Sequence, residues 1–330
     1  MIYKYFVRLL SVMLFSALLS SCIEENTSDC GIYLEFIYNY NMEYSNSFDP
    51  QVPTVDVFFF DAQNRYLFKH HSTREDLKGN QLYLDDKITI GQYKVFTVGG
   101  LNDSFEVTDK NGNALKPGET LLNEIQVSLI RYFPVVSEDF SNLWVGEPIT
   151  LNATGGRPVW RIELIKYTNR FSVELASAQG EPSGSTGDEP IYTFEIETPE
   201  GAVYDTDHFP LFTETVTYTP YLLQNGNNSI LSVGEIKTVR LFDNDNYNFV
   251  VRNVNTQKIL WEYNLIELLA NTKPAYHPDG SILSMQEYLD RQSEWHIVVL
   301  YDVPDDGSDE YLAVGVQINN WIIWFNDIGV

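Results

Sequence analysis

Cysteine is nearly missing from this sequence, with two in 330 residues, Cys22 and Cys30. That count excludes a fold stapled by disulfides and a zinc site built from thiolates. Basic residues are scarce too: 21 Lys and Arg stand against 46 Asp and Glu, for a formal charge of −25. A polyanion would be repelled and no Lys/Arg stripe offsets the repulsion, so no nucleic-acid partner is expected. The acidity reads instead as a solvated, self-repelling surface. The five histidines include the neighbours His70 and His71, but HExxH spacing, Walker and Rossmann glycine patterns and a G-x-S-x-G elbow are all missing. Carboxylate pairs carry little weight in so acidic a chain. The stretch FDNDNYN (242–248) begins like a calcium loop, yet it lacks the central Gly and has Val254 where the closing carboxylate belongs. No catalytic, cofactor-binding or metal-binding residue is assigned, and no enzyme is expected.

Long apolar runs are also lacking. The longest is LLSVMLFSALLSS, 13 residues behind Lys4 and Arg8. A membrane-spanning helix needs about 20 residues, so this is the length of a signal-peptide core and not of a span. Its end, Leu19-Ser20-Ser21-Cys22, resembles the bacterial lipobox, in which small side chains precede the cut and a cysteine follows it. The resemblance implies a lipoprotein signal peptide over 1–21, cleavage between Ser21 and Cys22, and acylation (palmitate-type chains) of Cys22. Several chains at about 0.8 kcal/mol per buried CH₂ make a stable anchor, whereas one would be marginal. Cys30 is then a lone thiol. Glu24 and Glu25 follow at once and resemble the acidic export tags of surface lipoproteins in Bacteroides-like bacteria. The expected location is the outer membrane, lipid-anchored and surface-exposed.

The rest of the chain reads as strands. GIYLEFIYNYN alternates apolar and polar positions, VDVFFFDAQNRYLF looks like a hairpin turning at Asp61–Asn64, and KITIGQYKVFTVGGL stops at Gly99-Gly100. DKNGN (109–113) is a turn, and 178–190 is a polar Gly/Ser/Pro loop. Helix is confined to WEYNLIELLANT, with Leu265, Leu268 and Leu269 on one face, and to MQEYLDRQ behind a Ser284/Glu287 capping box. Gly155-Gly156 and Pro158 break the pattern, so the boundary between two all-β sandwich domains is expected near residue 156, giving 22–156 and 157–330.

CGIYLEFIYNYNMEY, VDVFFFDAQNRYLF, IGQYKVFTVGGL, MQEYLDRQSEWHIVVLY and the terminal INNWIIWFNDI, in this order behind a lipobox, resemble the FimB-type fimbrial anchor lipoproteins of the Bacteroidales. The resemblance covers nearly all of the mature chain. It implies two tandem transthyretin-like β-sandwich domains with few short helices, and a lipid at Cys22. It also implies a retained first strand at 31–40 and partnership with fimbrial shaft or accessory subunits through strand pairing. The consecutive apolar residues Trp321, Ile322, Ile323, Trp324 and Phe325 are the candidate pairing strand, expected to be buried on both faces. That strand either completes its own domain or is donated to a neighbour. Two other roles fit the same sequence: a surface glycan-binding lipoprotein, with host or bacterial glycans or proteins as partners, and a fimbrial tip adhesin.

Overall fold

Side chains that alternate along the sequence alternate across a sheet, because successive residues of a strand face opposite ways. Ile32, Leu34 and Phe36 bury one face of β1 (Ile32–Ile37) in this way. In β2 (Thr54–Phe60) the apolar residues run on without alternation, and both faces are covered. Val55, Val57 and Phe59 enter one core while Phe58 and Phe60 enter another. The computed structural model describes residues 32–325, apart from 85–87, 89–90, 132–133, 154–157, 181–188, 200–201, 212–213 and 303–310.

β1 and β2 share a seven-stranded sheet with β3 (Tyr66–Thr73), β4 (Gln81–Leu84), β5 (Gly91–Gly99), β9 (Trp144–Ala153) and β10 (Val159–Lys166), in the order β3-β2-β5-β9-β10-β1-β4. β10 serves two neighbours in succession. Its first half lies parallel to β1, from Tyr33 opposite Val159 to Ile37 opposite Glu163. Its last three residues, Leu164–Lys166, run antiparallel to β9. The sheet thereby wraps around a core that holds Leu34, Phe36, Val57, Phe59, Trp144 and Leu164, all essentially inaccessible to water. Burial of each such side chain contributes about 1.5–3 kcal/mol.

A second sandwich follows. Its six-stranded sheet has the order β15-β16-β11-β19-β20-β21, made of β11 (Thr168–Ser177), β15 (Leu222–Asn225), β16 (Ile230–Val239), β19 (Glu294–Asp302), β20 (Leu312–Ile318) and β21 (Trp321–Trp324). Facing it is a five-stranded sheet, β18-β17-β12-β14-β8, of β8 (Val135–Val136), β12 (Tyr192–Thr198), β14 (Val216–Tyr218), β17 (Asn248–Asn253) and β18 (Ile259–Asn264). A small third layer joins β6 (Phe105–Asp109), β7 (Ile125–Leu129) and β13 (Val203–Asp205). One apolar cluster runs from Phe58 and Phe96 of the first sheet through Val127 to Phe171, Phe194 and Ile297 of the second sandwich. The chain is an all-β sandwich protein, as its composition and turns led one to expect.

The two halves are interlaced. Residue 156 itself lies outside the described residues, but β10 follows it and is an inner strand of the first sheet. β8 precedes it and pairs with β14 of the second sandwich, while β13 returns to pair with β7. The seven-stranded sheet ends at Lys166 and the six-stranded one starts at Thr168. A cut at 156 would strip β10 from its own sheet. Pro158 directly precedes β10, while Gly155-Gly156 lie outside the described residues, and strand partners are what a local sequence signal cannot reveal.

Three short helices occur among the described residues: α1 (Phe48–Gln51), α2 (Leu265–Ala270) and α3 (Met285–Arg291). WEYN is the end of β18, and Asn264 then caps α2 by accepting from the Glu267 N–H. Leu265, Leu268 and Leu269 bury the inner face of that helix. Ser284 Oγ accepts from the Glu287 N–H at 3.1 Å and opens α3. The hairpin turn at Asp61–Asn64 has its expected form, with Asp61 Oδ1 accepting from Gln63 N and Arg65 N and Asn64 in the left-handed region.

Candidate functional site

Ser21, Cys22, Glu24 and Glu25 lie outside the described residues, as does Cys30. The expected retained strand is described from Ile32 onward. β1 is an inner strand, parallel to β10 on one side and antiparallel to β4 on the other, so its backbone groups are paired along both edges.

At the other end of the described chain, β21 pairs among the described residues with β20 alone, from Ile318 opposite Trp321 to Gly315 opposite Trp324. It is the outermost strand of its sheet. Ile323 and Phe325 turn inward, and Phe325 stacks on Trp261 of β18 at 5.1 Å. The expectation of two buried faces is corrected here: Trp321 is 61% exposed, Ile322 55% and Trp324 43%. An outermost strand has one neighbour, and no described residue covers its far face. Gly315 is the sequence signal for this packing. A Cβ there would lie 2.9 Å from the Trp324 ring, so only glycine lets the indole settle on β20. An apolar edge with no partner among the described residues invites another strand.

The segment that follows β1 is held by α3. The Arg291 guanidinium lies 4.2 Å from the Tyr40 ring centre and 4.5 Å from that of Tyr44. It donates from Nη1 to the carbonyl oxygens of Asn39 and Asn41, and from Nε to Glu287. Cation–π attraction and charge-assisted hydrogen bonds thus act through one side chain. His277 packs edge-on to Tyr44 and contacts Glu287 at 3.1 Å. Nothing local in the sequence pairs Asn39–Tyr44 with a helix at 285–291, and this clasp was not foreseen.

Beside the clasp lies a buried polar network that sequence reasoning also missed. Arg240, at the end of β16, donates to both oxygens of Asp290 on α3 and to the His208 carbonyl. Burial opposes the guanidinium charge, but hydrogen bonds and the charge of Asp290 hold its pKa above the usual value. Tyr167 hydroxyl bonds His208 Nδ1 and also faces Arg240 Nη1 at 3.5 Å. Burial drives the Tyr167 pKa up, and burial followed by the nearby Arg240 charge drives that of His208 down to about 3. The imidazole is therefore neutral at ordinary pH.

This network floors a cleft of about 590 Å³ between the halves, lined by His208, Phe209, Asp243 and Asp245 among others. A polar cavity of about 460 Å³ adjoins it, and Glu147 and Asp207 line both. No group of three or more His, Cys, Asp or Glu able to hold a metal ion occurs among the described residues. No described helix is long and apolar enough to cross a membrane.

Residues 26–327 match the family of fimbrillin-A associated anchor proteins Mfa1 and Mfa2. The chain belongs to that family. Solved structures agree with the assignment. A candidate adhesin from Bacteroides ovatus is 37% identical, with a TM-score of 0.79 over 89% of this chain and 95% of that one. Candidate polysaccharide-binding proteins from Bacteroides thetaiotaomicron are represented by a structure 28% identical, with a TM-score of 0.75 over 89% and 98% of the two chains. The fimbrial anchor protein Mfa2 from Porphyromonas gingivalis, 17% identical, shares the fold at a TM-score of 0.64 over 89% and 98%. A comparison with curated proteins found no match. Within the anchor family, the features set out above are an inner, fully paired β1, an exposed apolar β21 edge, and the clasp and cleft between the halves.

Proposed function

We propose that this chain is a fimbrial anchor or accessory subunit, fastened to the outer membrane by lipid at Cys22 and joined to its neighbour by strand pairing along β21. Membership of the anchor family over residues 26–327 makes association with a fimbrium at the cell surface the general reading. The observation that carries the particular mechanism is the contrast between the two ends of the described chain. Among the described residues β1 has both edges paired, whereas β21 has a strand on one edge only and three large exposed apolar side chains. Added main-chain hydrogen bonds plus burial of Trp321, Ile322 and Trp324 would give a tight contact with no chemistry at all. No catalytic role is part of this reading.

Two measurements test it. Mass spectrometry of the mature amino terminus should find acylated Cys22 on an otherwise intact chain. Deletion of the protein should release or lengthen fimbriae. A mature terminus far beyond residue 22 supports a tip or polymerising role in its place, and unchanged fibre length and retention after deletion would sink the anchor role. A second reading, glycan binding, is favoured by the likeness to the candidate polysaccharide-binding structure. The row of exposed aromatics on a sandwich face that would support it directly is lacking among the described residues, since Trp321 and Trp324 point to opposite faces of β21.

A further inference from the structure

Outermost strands are ordinarily kept from pairing by charged side chains, proline or a bulge. At the outside of the first sheet, β3 carries Lys69, His70 and His71. β21 has no such protection: it reads Trp321-Ile322-Ile323-Trp324, without a charge.

The turn ahead of β21 decides which of its backbone groups face outward. Asn319 and Asn320 form a two-residue turn, with Asn319 in the left-handed region and Ile318 opposite Trp321. The pair that closes such a hairpin is hydrogen-bonded, and bonding alternates along an antiparallel strand. Trp321 and Ile323 therefore bond to β20, while the N–H and C=O of Ile322 and Trp324 point away from it. No strand meets them among the described residues.

A second copy of β21 matches this pattern about a two-fold axis at Ile323. Ile322 then pairs with the second copy's Trp324, and Trp324 with the second copy's Ile322, each pair exchanging both main-chain bonds. The side chains agree with the same register. Ile322 and Trp324 share the outer face, so each indole lies beside an isoleucine, and Ile323 meets its counterpart on the inner face. An axis at Ile322 or at Trp324 would leave one outward-facing residue without a partner in β21. Trp321 is 61% and Trp324 43% exposed, so at about 150–250 Å² per indole they offer roughly 200 Å² per copy. With Ile322 added, two copies still cover less than the roughly 1,000 Å² of a stable interface, so the pairing is weak and reversible.

We infer that the β21 edge is covered by a second copy of this chain, paired antiparallel about Ile323, until a fimbrial neighbour displaces it. The inference rests on the reading of β21 as the edge that joins the fibre, and adds how that edge is kept from indiscriminate pairing. Each copy carries a formal charge of −25, so the two repel and salt strengthens the pairing by screening.

The test uses the purified full-length chain in detergent, with micelles in excess over protein. Sedimentation should show a concentration-dependent dimer whose association constant rises several-fold from low to high salt. Trp321→Lys with Ile322→Lys should lower that constant by about tenfold or more. In a Cys30→Ser background, the Ile323→Cys variant should form a disulfide dimer on mild oxidation, because opposed Cα atoms at such a position are about 4.5 Å apart. The Ile322→Cys variant, whose counterpart is Trp324, should form little. A monomer at every soluble concentration would overturn the inference, as would a dimer indifferent to the double lysine variant or one that Ile322→Cys links as readily as Ile323→Cys. A monomer whose double lysine variant still sheds fimbriae overturns self-pairing and leaves the fibre contact in place. A dimer linked through Ile323→Cys, with fibre retention unaffected by the lysines, supports self-pairing and removes the fibre contact from β21.

Discussion

Arg240 and Asp290 meet at two points, Nε to Oδ1 at 2.6 Å and Nη2 to Oδ2 at 2.8 Å, with both side chains more than nine-tenths buried. The pair joins the end of β16 to α3. Removing one partner leaves a charge in a dry site, so Asp290→Ala should cost about 3–5 kcal/mol. Replacing both by apolar residues of similar size, Arg240→Met with Asp290→Leu, should cost far less. Urea unfolding of the three proteins checks this, and equal losses for the single and the double variant would refute the buried-pair account.

Acid stability should carry the signature of His208. Its pKa is lowered on folding to about 3, by burial and then by Arg240. Below the unfolded-state value of about 6.5 the unfolded chain takes up a proton that the folded chain refuses. Its contribution to stability is therefore intact at neutral pH and is lost as pH falls from there towards 3. Over that window the wild-type stability should fall faster than that of His208→Gln, by up to about 1.4 kcal/mol per pH unit. Denaturant titrations at half-unit steps of pH make the comparison. Parallel slopes would contradict a neutral, buried histidine.

The clasp on the segment after β1 depends on the shape of arginine. Arg291→Ala should destabilise the chain by about 1–3 kcal/mol through lost hydrogen bonds and stacking. Arg291→Lys should recover little, because an ammonium cannot lie flat on Tyr40 and Tyr44 while reaching two carbonyls. Hydrogen exchange at residues 38–47 gives a local readout, and in Arg291→Lys it should rise with the global stability barely recovered. Full recovery by lysine would mean that charge alone matters there.

Trp321→Lys with Ile322→Lys tests the free edge. Both positions are largely exposed, so the isolated chain should change by less than about 1 kcal/mol. Strand pairing with a neighbour, by contrast, should be blocked by the two charges. Cells carrying the double variant should shed fimbriae into the medium while still presenting the protein on their surface. Normal fibre retention would move the contact away from β21.

The legible features in the sequence were the local ones. Alternation through Ile32, Leu34 and Phe36, the Asp61–Asn64 turn and the Ser284 N-cap each depend on residues a few positions apart and each is present, although the Glu287 carboxylate turns to Arg291 and His277 and leaves the expected capping box half made. The apolar run at Trp321–Phe325 was rightly a strand, yet its exposure depends on its rank in a sheet, which no window along the chain contains. The same holds for β10, whose partners are β1, more than a hundred residues earlier, and β9, just before it. Tyr167, His208, Arg240 and Asp290 come from four separate stretches of the chain and carry no motif. Only the scarcity of buried charge in a β core could have singled out Arg240.

The place of β1 between β10 and β4 has a mechanical consequence. A tether attached ahead of β1 pulls on the strand along its axis when the load is borne at the far end of the molecule. Five register pairs with β10 and four with β4 then share the load at once, as a lap joint does, and none can open before the others slip. An edge strand peeled from its end would give way one bond at a time. Single-molecule pulling between the amino terminus and the second sandwich should thus meet a high, brittle rupture at β1, with the Arg291 clasp as the next thing to yield.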